Sequence, residues 1–474
     1  MEKWSSKTGF LLAAIGAAVG IGNVWRFSAV VGQNGGGAYL IPYLLAVFCF
    51  GVPLMIVELA IGRNLRANLI AAFSGARARL AGLGWIVWCV VLLILGYYLV
   101  IVGWTLAYVH QSLTGNVMSF SAFTGTLRPV VYFLLTALVT GLVVSFGVRR
   151  GIERISTVLM PLCFVMLVAM AVFATTLSGF SKGIAYFLKP DFDVLLRPSI
   201  WSAAFGQAFF SLSVGYGAII TYGAYLDERT DIPRSSIIIS VADVSVAVLA
   251  GLVVFPIVFT FGLEPTLGAE LAFSTLPRAF EMMPAGRFFS PAFFLLLFFA
   301  GLTSAVSMME ANVAPLLKTG RASRARISMG MTAGVMVIGL PAALSYSAPD
   351  LRLAGMKVLD LMDETVGTLG LPITALMISL AFTWFFPKTI LRSEIDGGRK
   401  LSAAVHFAAK YVIPTVLSVV TVSRLVTGFD FPGWHWIPGI PYIGRPGQLL
   451  TLIVFLVALA ASTMLIARRR ERRP

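Results

Sequence analysis

This chain carries little charge. Only 12% of its 474 residues are Asp, Glu, Lys or Arg, about half the share of a soluble globular chain. No hydrophilic stretch is long enough for a separate soluble domain, so no appended signalling module is expected. Cysteine and histidine are scarce, three of each. Cys49, Cys89 and Cys163 stand alone in apolar runs and read as small buried hydrophobes. His110, His406 and His435 are scattered, and no metal-ligand spacing appears. Asp243, Glu58 and Asp363 lie in different apolar runs without histidine partners, so the chain is not expected to be an enzyme. The first apolar run lacks an A-x-A-like end, so no cleavable leader is expected.

What is abundant is apolar length. Hydrophobic residues make up 58% of the chain. Uncharged runs of about 20 residues recur, the length a helix needs to cross the hydrocarbon core. Lipid admits only helices or closed barrels, and these runs are too long and too continuous for barrel strands. The expected fold class is an all-α polytopic membrane protein. Twelve transmembrane helices are expected, at roughly 8–32, 38–62, 83–110, 129–147, 154–177, 198–225, 236–261, 288–316, 327–346, 356–386, 403–424 and 447–467. The longest external loops fall near 111–128, 178–197 and 262–287, the last with room for short helices.

The net charge of +15 does not indicate a nucleic-acid partner. The basic residues sit at helix ends and in short loops: Arg149–Arg150, Arg321, Arg324 and Arg326, Arg399–Lys400, and the tail Arg468–Arg473. These loops fall on one side of the span count, which makes that side cytoplasmic. An even count then puts both termini in the cytoplasm, with the protein in the cell membrane.

Two spans carry glycine clusters, Gly16–Asn23 in the first and Ser211–Gly217 in the sixth. Glycine gives up helix propensity and permits unusual dihedrals. Small residues also serve close helix packing. The first and sixth spans would begin two five-helix halves, and interrupted helices at matching places in two halves point to a transporter's central site. At about 1.5 Å per residue, Tyr98 in the third span and Thr303 and Ser304 in the eighth fall near the same depth. Each break would offer carbonyls and negative dipole ends to cations, and N–H groups and positive ends to a carboxylate. A small zwitterion travelling with cations suits such a site.

The segments Gly16–Phe27 (GAAVGIGNVWRF), Asn34–Ala38 (NGGGA), Pro53-Leu54 with Glu58, Gly206–Gly217 (GQAFFSLSVGYG), Ala300–Ser304 (AGLTS) and the Gly151-x9-Pro161 spacing together resemble the neurotransmitter:sodium symporter family. The resemblance is collinear over about the first 390 residues. It implies the leucine-transporter fold, with inverted five-helix repeats over about 8–177 and 198–386 and helices 1 and 6 broken at the midplane. Residues 391–474 would add two helices and a basic tail.

The resemblance also implies a site. Two sodium ions are expected. One would take the carbonyls of Gly16, Val19 and Ala300 with the hydroxyls of Thr303 and Ser304. The other would take the Ala18 carbonyl, Asn23, Ser211 and Asp243. All are oxygen donors, as a hard cation requires. The substrate pocket would be lined by Ala18, Ile21, Gly22, Ile94, Tyr98, Phe210, Ser211, Ser213, Tyr216, Ser304 and Met308. Tyr98 would donate to a substrate carboxylate. Gly20 stands where monoamine members carry Asp and leaves room for a substrate bringing its own carboxylate. Glu58 is expected to accept hydrogen bonds from the broken backbone of the sixth span.

Gates are implied as well. Arg26 and Asp363 should pair, directly or through water, with Gln207 beside them, above the substrate. On the inner side the usual Arg–Asp pair is missing, because Lys3 precedes Trp4 and Lys318 stands at the Asp position. Lys3 is then expected to find Asp227, Glu228 or Asp231, or Trp4 to close the path by packing. Animal members carry Asn where Asp243 stands and use a serine one turn on, here Ala247, beside chloride. Asp243 would supply that negative charge covalently.

The expected function is sodium-driven symport of neutral hydrophobic or aromatic amino acids by alternating access, without chloride. Two other readings are a proton-coupled carrier of the same fold and an amino acid sensor that transports nothing. The first would place a lysine of the fifth span in the second sodium site, and residues 155–177 contain none. The implied partners are an amino acid and the lipid bilayer; the oligomeric state is not legible.

Overall fold

The structure is a computed structural model that describes residues 2–263, 271–317, 322–386, 394 and 398–427. The expected twelfth span at 447–467, Lys318, His435 and the basic tail lie outside the described residues. Among those described, nine helices are long and apolar enough to cross a membrane, and a bent pair makes a tenth. That pair is the first span, Lys7–Ala18 and Gly22–Gln33, bent by 54°. The sixth span is likewise split, into Pro198–Ser211 and Ala218–Ala224. The others are Gly36–Leu65, Ala78–Thr114, Arg128–Ser145, Val148–Ala174, Ile232–Thr260, Gly286–Leu317, Arg324–Ser345, Val358–Trp384 and Leu401–Val422. Each five-span half therefore opens with an interrupted helix, as expected.

Burial grades the spans. The eighth is 83% buried over its most apolar stretch and the fifth 28%, so the eighth runs through the centre and the fifth borders lipid. Val158, Phe164 and Val165 of the fifth span, and Val131 and Leu135 of the fourth, point outward, as lipid-facing side chains do. Small residues bring backbones together at the centre. A Cβ on Gly62 of the second span would lie 2.1 Å from the Ile220 carbonyl oxygen. One on Gly223 of the sixth would lie 2.7 Å from that of Leu59. These two helices can pack so closely only because both positions are glycine.

Three details refine the expectations. Cys49 and Cys89 are exposed and only Cys163 is buried; a lone cysteine in an apolar run is equally at home against lipid. The outer connection before the tenth span forms an antiparallel hairpin pairing Arg352 with Lys357 and Leu353 with Met356, too short for periodicity to reveal. The segment before the eighth span contains Leu271–Thr275 and Leu276–Met282 as short helices, in line with the room expected there.

Candidate functional site

The first break begins where the helix from Lys7 ends at Ala18, with Val19 in an extended conformation (φ −71°, ψ 108°). Ser6 starts that helix by accepting from Gly9 N–H, and its far end releases carbonyls that no later turn accepts. The Asn23 side-chain oxygen takes the freed Gly20 N–H at 2.9 Å. In the second break Ser213, Gly215 and Gly217 have φ of 55°, 93° and 82°, where glycine is at ease and serine is strained. Ser213 is held there by donating its hydroxyl to the Ala17 carbonyl at 2.6 Å, which fastens one break to the other. Glu58, fully buried, accepts from Gly215 N–H at 2.6 Å. That is the support for broken backbone expected of it.

Around the breaks the oxygen donors gather in two groups. Ser304 Oγ lies 3.3 Å from the Gly16 carbonyl oxygen and 3.2 Å from those of Ala17 and Val19. Thr303 Oγ1 is 3.0 Å from the Ala300 carbonyl oxygen. A Cβ on Gly16 would come within 3.1 Å of Thr303 Cβ, so the glycine lets the first span lie against this hydroxyl. The structure thus brings together Gly16, Val19, Ala300, Thr303 and Ser304.

In the second group Asp243 is fully buried. Its carboxylate accepts from Asn23 Nδ2 at 2.6 Å and from Ser211 Oγ at 2.8 and 2.9 Å. Tyr43 adds a hydroxyl 3.5 Å from Asp243 Oδ2. The Asn23 amide is fixed in this orientation from both ends, its nitrogen donating to the acid and its oxygen accepting from Gly20 N–H. Ala18, the last residue of the first half-helix, lines the adjacent cavity with Asn23 and Ser211.

Between the two groups lies a small central cavity of about 30 Å³. Ala18, Gly22, Ile94, Tyr98, Phe210, Ser211, Ser213, Tyr216, Ser304 and Met308 line it, together with Ala17, Gly20, Asn23 and Leu371. Ile21 is buried against Gly301 of the eighth span instead of lining the cavity. Leu371 is a wall that no sequence motif singles out. A Cβ on Gly20 would lie 2.9 Å from Ser304 Oγ and 3.0 Å from Tyr98 Oη. The space beside these two hydroxyls exists because residue 20 has no side chain.

Above this cavity is an outer one of about 420 Å³, lined among others by Arg26, Gln207, Asp360, Asp363 and Glu364. Arg26 and Asp363 share its wall, but no direct ion pair joins them. The Arg26 guanidinium instead lies 4.8 Å over the Phe210 ring, a favourable cation–π arrangement. Gln207 donates to the Gly22 carbonyl at 3.1 Å.

The opposite face is closed, though not by the expected lysine. Trp4 is 8% exposed. Its indole donates to the Tyr222 carbonyl at 3.2 Å and its backbone N–H to that of Tyr225 at 3.3 Å. Lys3 makes no ion pair among the described residues; its carbonyl accepts from Arg149 at 2.9 Å. Asp227 and Asp231 cap local backbone N–H groups, and Glu228 reaches Arg66 at 3.5 Å. The Arg229 N–H, with Lys3 at longer range, holds the Asp227 carboxyl below the usual carboxylate range. These acids are thus engaged at home.

Much of the closure is carried by residues that sequence reasoning passes over. Arg324, at the start of the ninth span, makes a two-point contact with the buried Glu310 of the eighth. It also lies 2.9 Å from Glu2. Tyr225 donates to Glu310 at 2.6 Å. Glu153, buried at the start of the fifth span, accepts from the Ser5 backbone at 2.8 Å and from the Ser5 hydroxyl. One signal for this cluster is in the chain: Glu310 is a carboxylate inside an apolar run, and such residues need a partner.

The family model described as the sodium:neurotransmitter symporter family matches residues 1–121 and 122–441. An uncharacterized sodium-dependent transporter of Bacillus subtilis is 36% identical over 440 residues, covering 89% of this chain and 97% of its own. The human sodium-dependent neutral amino acid transporter SLC6A17 is 25% identical, covering 96% of this chain and 78% of its own. The crystal structure of MhsT in complex with L-phenylalanine superposes with a TM-score of 0.83 at 33% identity, covering 89% of this chain and 99% of that one. The fold is that of the leucine transporter. With the broken spans and their gathered oxygen donors, these matches show that the chain is an integral membrane protein belonging to the sodium:neurotransmitter symporter family of sodium-dependent transporters.

Proposed function

We propose that this protein is a symporter that uses the sodium gradient to carry neutral hydrophobic or aromatic amino acids across the cell membrane by alternating access, with both termini cytoplasmic. The observation that carries the reading is the central cavity. Ile94, Phe210, Tyr216, Met308 and Leu371 offer it apolar and aromatic surface, while Tyr98, Ser304 and the half-helix ends stand at its polar edge. A carboxylate finds N–H groups and a phenol there, and an apolar side chain finds hydrocarbon. Methionine adapts to varied shapes, which supports a range of side chains. That MhsT was solved with L-phenylalanine and that SLC6A17 is a neutral amino acid transporter agree with the reading.

Two sodium ions fit the donors. The Ser304 group, with Gly16, Val19, Ala300 and Thr303, offers only neutral oxygens. The Asp243 group, with Ala18, Asn23 and Ser211, offers a carboxylate. Residues 1–390 form the transporting core in this reading. The outer cavity stands open while the Trp4 face is closed. That combination suits a carrier facing outward, with Arg26 and Asp363 of its outer gate still apart. Uptake of a labelled amino acid with sodium replaced by choline tests the proposal. Uptake that persists in choline, or leucine, tryptophan and phenylalanine losing in competition to glutamate or lysine, would overturn it.

A further inference from the structure

The tenth span connects the outer cavity to the central one along a single face. Asp360, Asp363, Glu364 and Thr368 line the outer cavity, and Leu371 lines the inner. The span runs here through a π-helical stretch, Asp363–Gly370, whose wider turn keeps these positions on the walls of the two cavities. Leu371 is therefore the point at which that face turns from acidic to apolar. It meets the cavity from a helix other than those carrying the ion-site residues.

Leu371 is held in place from both sides. One turn further on, Ala375 abuts the sixth-span break: a Cβ on Gly215 would lie 2.5 Å from Ala375 Cβ. One residue earlier, the Cβ position of Gly370 lies 3.3 Å from a methyl of Val90 in the third span. The helix carrying Leu371 is wedged between the third and sixth spans and cannot easily retreat. Leu371 is 5% exposed, and the cavity it borders holds only about 30 Å³. So little space cannot take a side chain of several carbons unless a wall yields. Among the apolar walls Met308 is flexible, whereas Leu371 is branched and backed by packed helix.

We propose that Leu371 is a specificity-determining residue that sets the largest apolar side chain the central site accepts. The inference rests on the transport reading above and adds to it the residue that measures the substrate. Leu371→Ala removes three carbons from the wall and favours bulky substrates. Leu371→Phe fills the space and favours small ones. One methylene in an apolar pocket changes discrimination by about tenfold or more, so the two variants should separate widely.

The test is sodium-dependent binding of alanine, valine, leucine, phenylalanine and tryptophan to purified full-length protein, as wild type, Leu371→Ala, Leu371→Phe and Leu371→Met. The readout is the ratio of tryptophan to valine affinity within each protein, which a loss of folded material does not move. The ratio is expected to rise about tenfold in the alanine variant, fall about tenfold in the phenylalanine variant and stay near wild type in the methionine variant. If the wild type binds these amino acids and the ratio is the same in all four proteins, Leu371 does not set specificity and the transport reading stands. If the wild type binds none of them, the transport reading falls and the assignment of Leu371 falls with it.

Discussion

Arg324 grips Glu310 through two parallel contacts, Nη1 to Oε2 at 2.7 Å and Nη2 to Oε1 at 2.8 Å, and the carboxylate is fully buried. Arg324 opens the ninth span, Glu310 lies in the eighth and Tyr225, which also reaches Glu310, follows the sixth. Glu2 brings in the chain leading to the first. The contact therefore ties four separate stretches of the chain together on one face.

Removing one partner of such a pair leaves a buried charge uncompensated, at a cost of about 3–5 kcal/mol. Arg324→Gln should therefore loosen the closed face. Amide hydrogen exchange over residues 3–10 is expected to rise by about tenfold or more, while Glu310→Gln combined with Arg324→Gln should recover part of the protection. Unchanged exchange in the single variant would show that Trp4 packing closes the face alone.

Gly20 faces Ser304 Oγ and Tyr98 Oη at distances that no real Cβ tolerates easily. Overfilling a packed site costs about 1–3 kcal/mol. Gly20→Ala should lower amino acid affinity by about tenfold or more, and sodium affinity with it, because Ser304 both lines the central cavity and approaches the carbonyls of Gly16, Ala17 and Val19. Isothermal titration of the purified variant reads both. Wild-type affinity would mean that the substrate carboxylate sits elsewhere.

Much of this site is legible in the chain itself. The glycine clusters mark the breaks, because a missing Cβ acts locally, and Glu58 supports the sixth-span backbone as expected of a buried acid beside it. Contacts between distant spans are not legible. In the sequence Arg324 is one of several loop charges obeying the positive-inside pattern, and only packing shows that it turns inward to Glu310. The acids expected to meet Lys3 prove to be busy with their own turns or with Arg66. Leu371 is hidden for another reason: in a span where most residues are apolar, periodicity cannot say which leucine meets a cavity.

Arg26 and Asp363 line one cavity without touching. If closing the outer face draws them together, the pair matters to the transition and little to first binding. Breaking a desolvated charge pair costs about 2 kcal/mol or more. Asp363→Asn is expected to cut the uptake rate by about tenfold or more while changing equilibrium binding by less than about threefold. Filter-based uptake and equilibrium binding on the same preparation separate the two. Equal uptake by variant and wild type would remove Asp363 from the gate.

Charge balance in the site decides whether chloride is needed. Two sodium ions would place two positive charges in a nearly dry site, and a zwitterionic substrate cancels neither. Uncompensated buried charge costs several kcal/mol, so a negative charge must be built in or borrowed. Asp243 is built in: it is fully buried, faces Asn23 and Ser211 at hydrogen-bond distance, and gives its donor group a carboxylate that the Ser304 group lacks. One turn on, Ala247 is also fully buried and offers no hydroxyl that could help hold an anion. Uptake is therefore expected to be the same in gluconate and in chloride media. Asp243→Asn removes the charge while keeping the shape, and sodium affinity should fall by about tenfold or more. If added chloride restores part of that affinity, the anion is standing where the carboxylate stood. Wild-type uptake that requires chloride would refute the assignment, as would an Asn variant that binds sodium as tightly as the wild type.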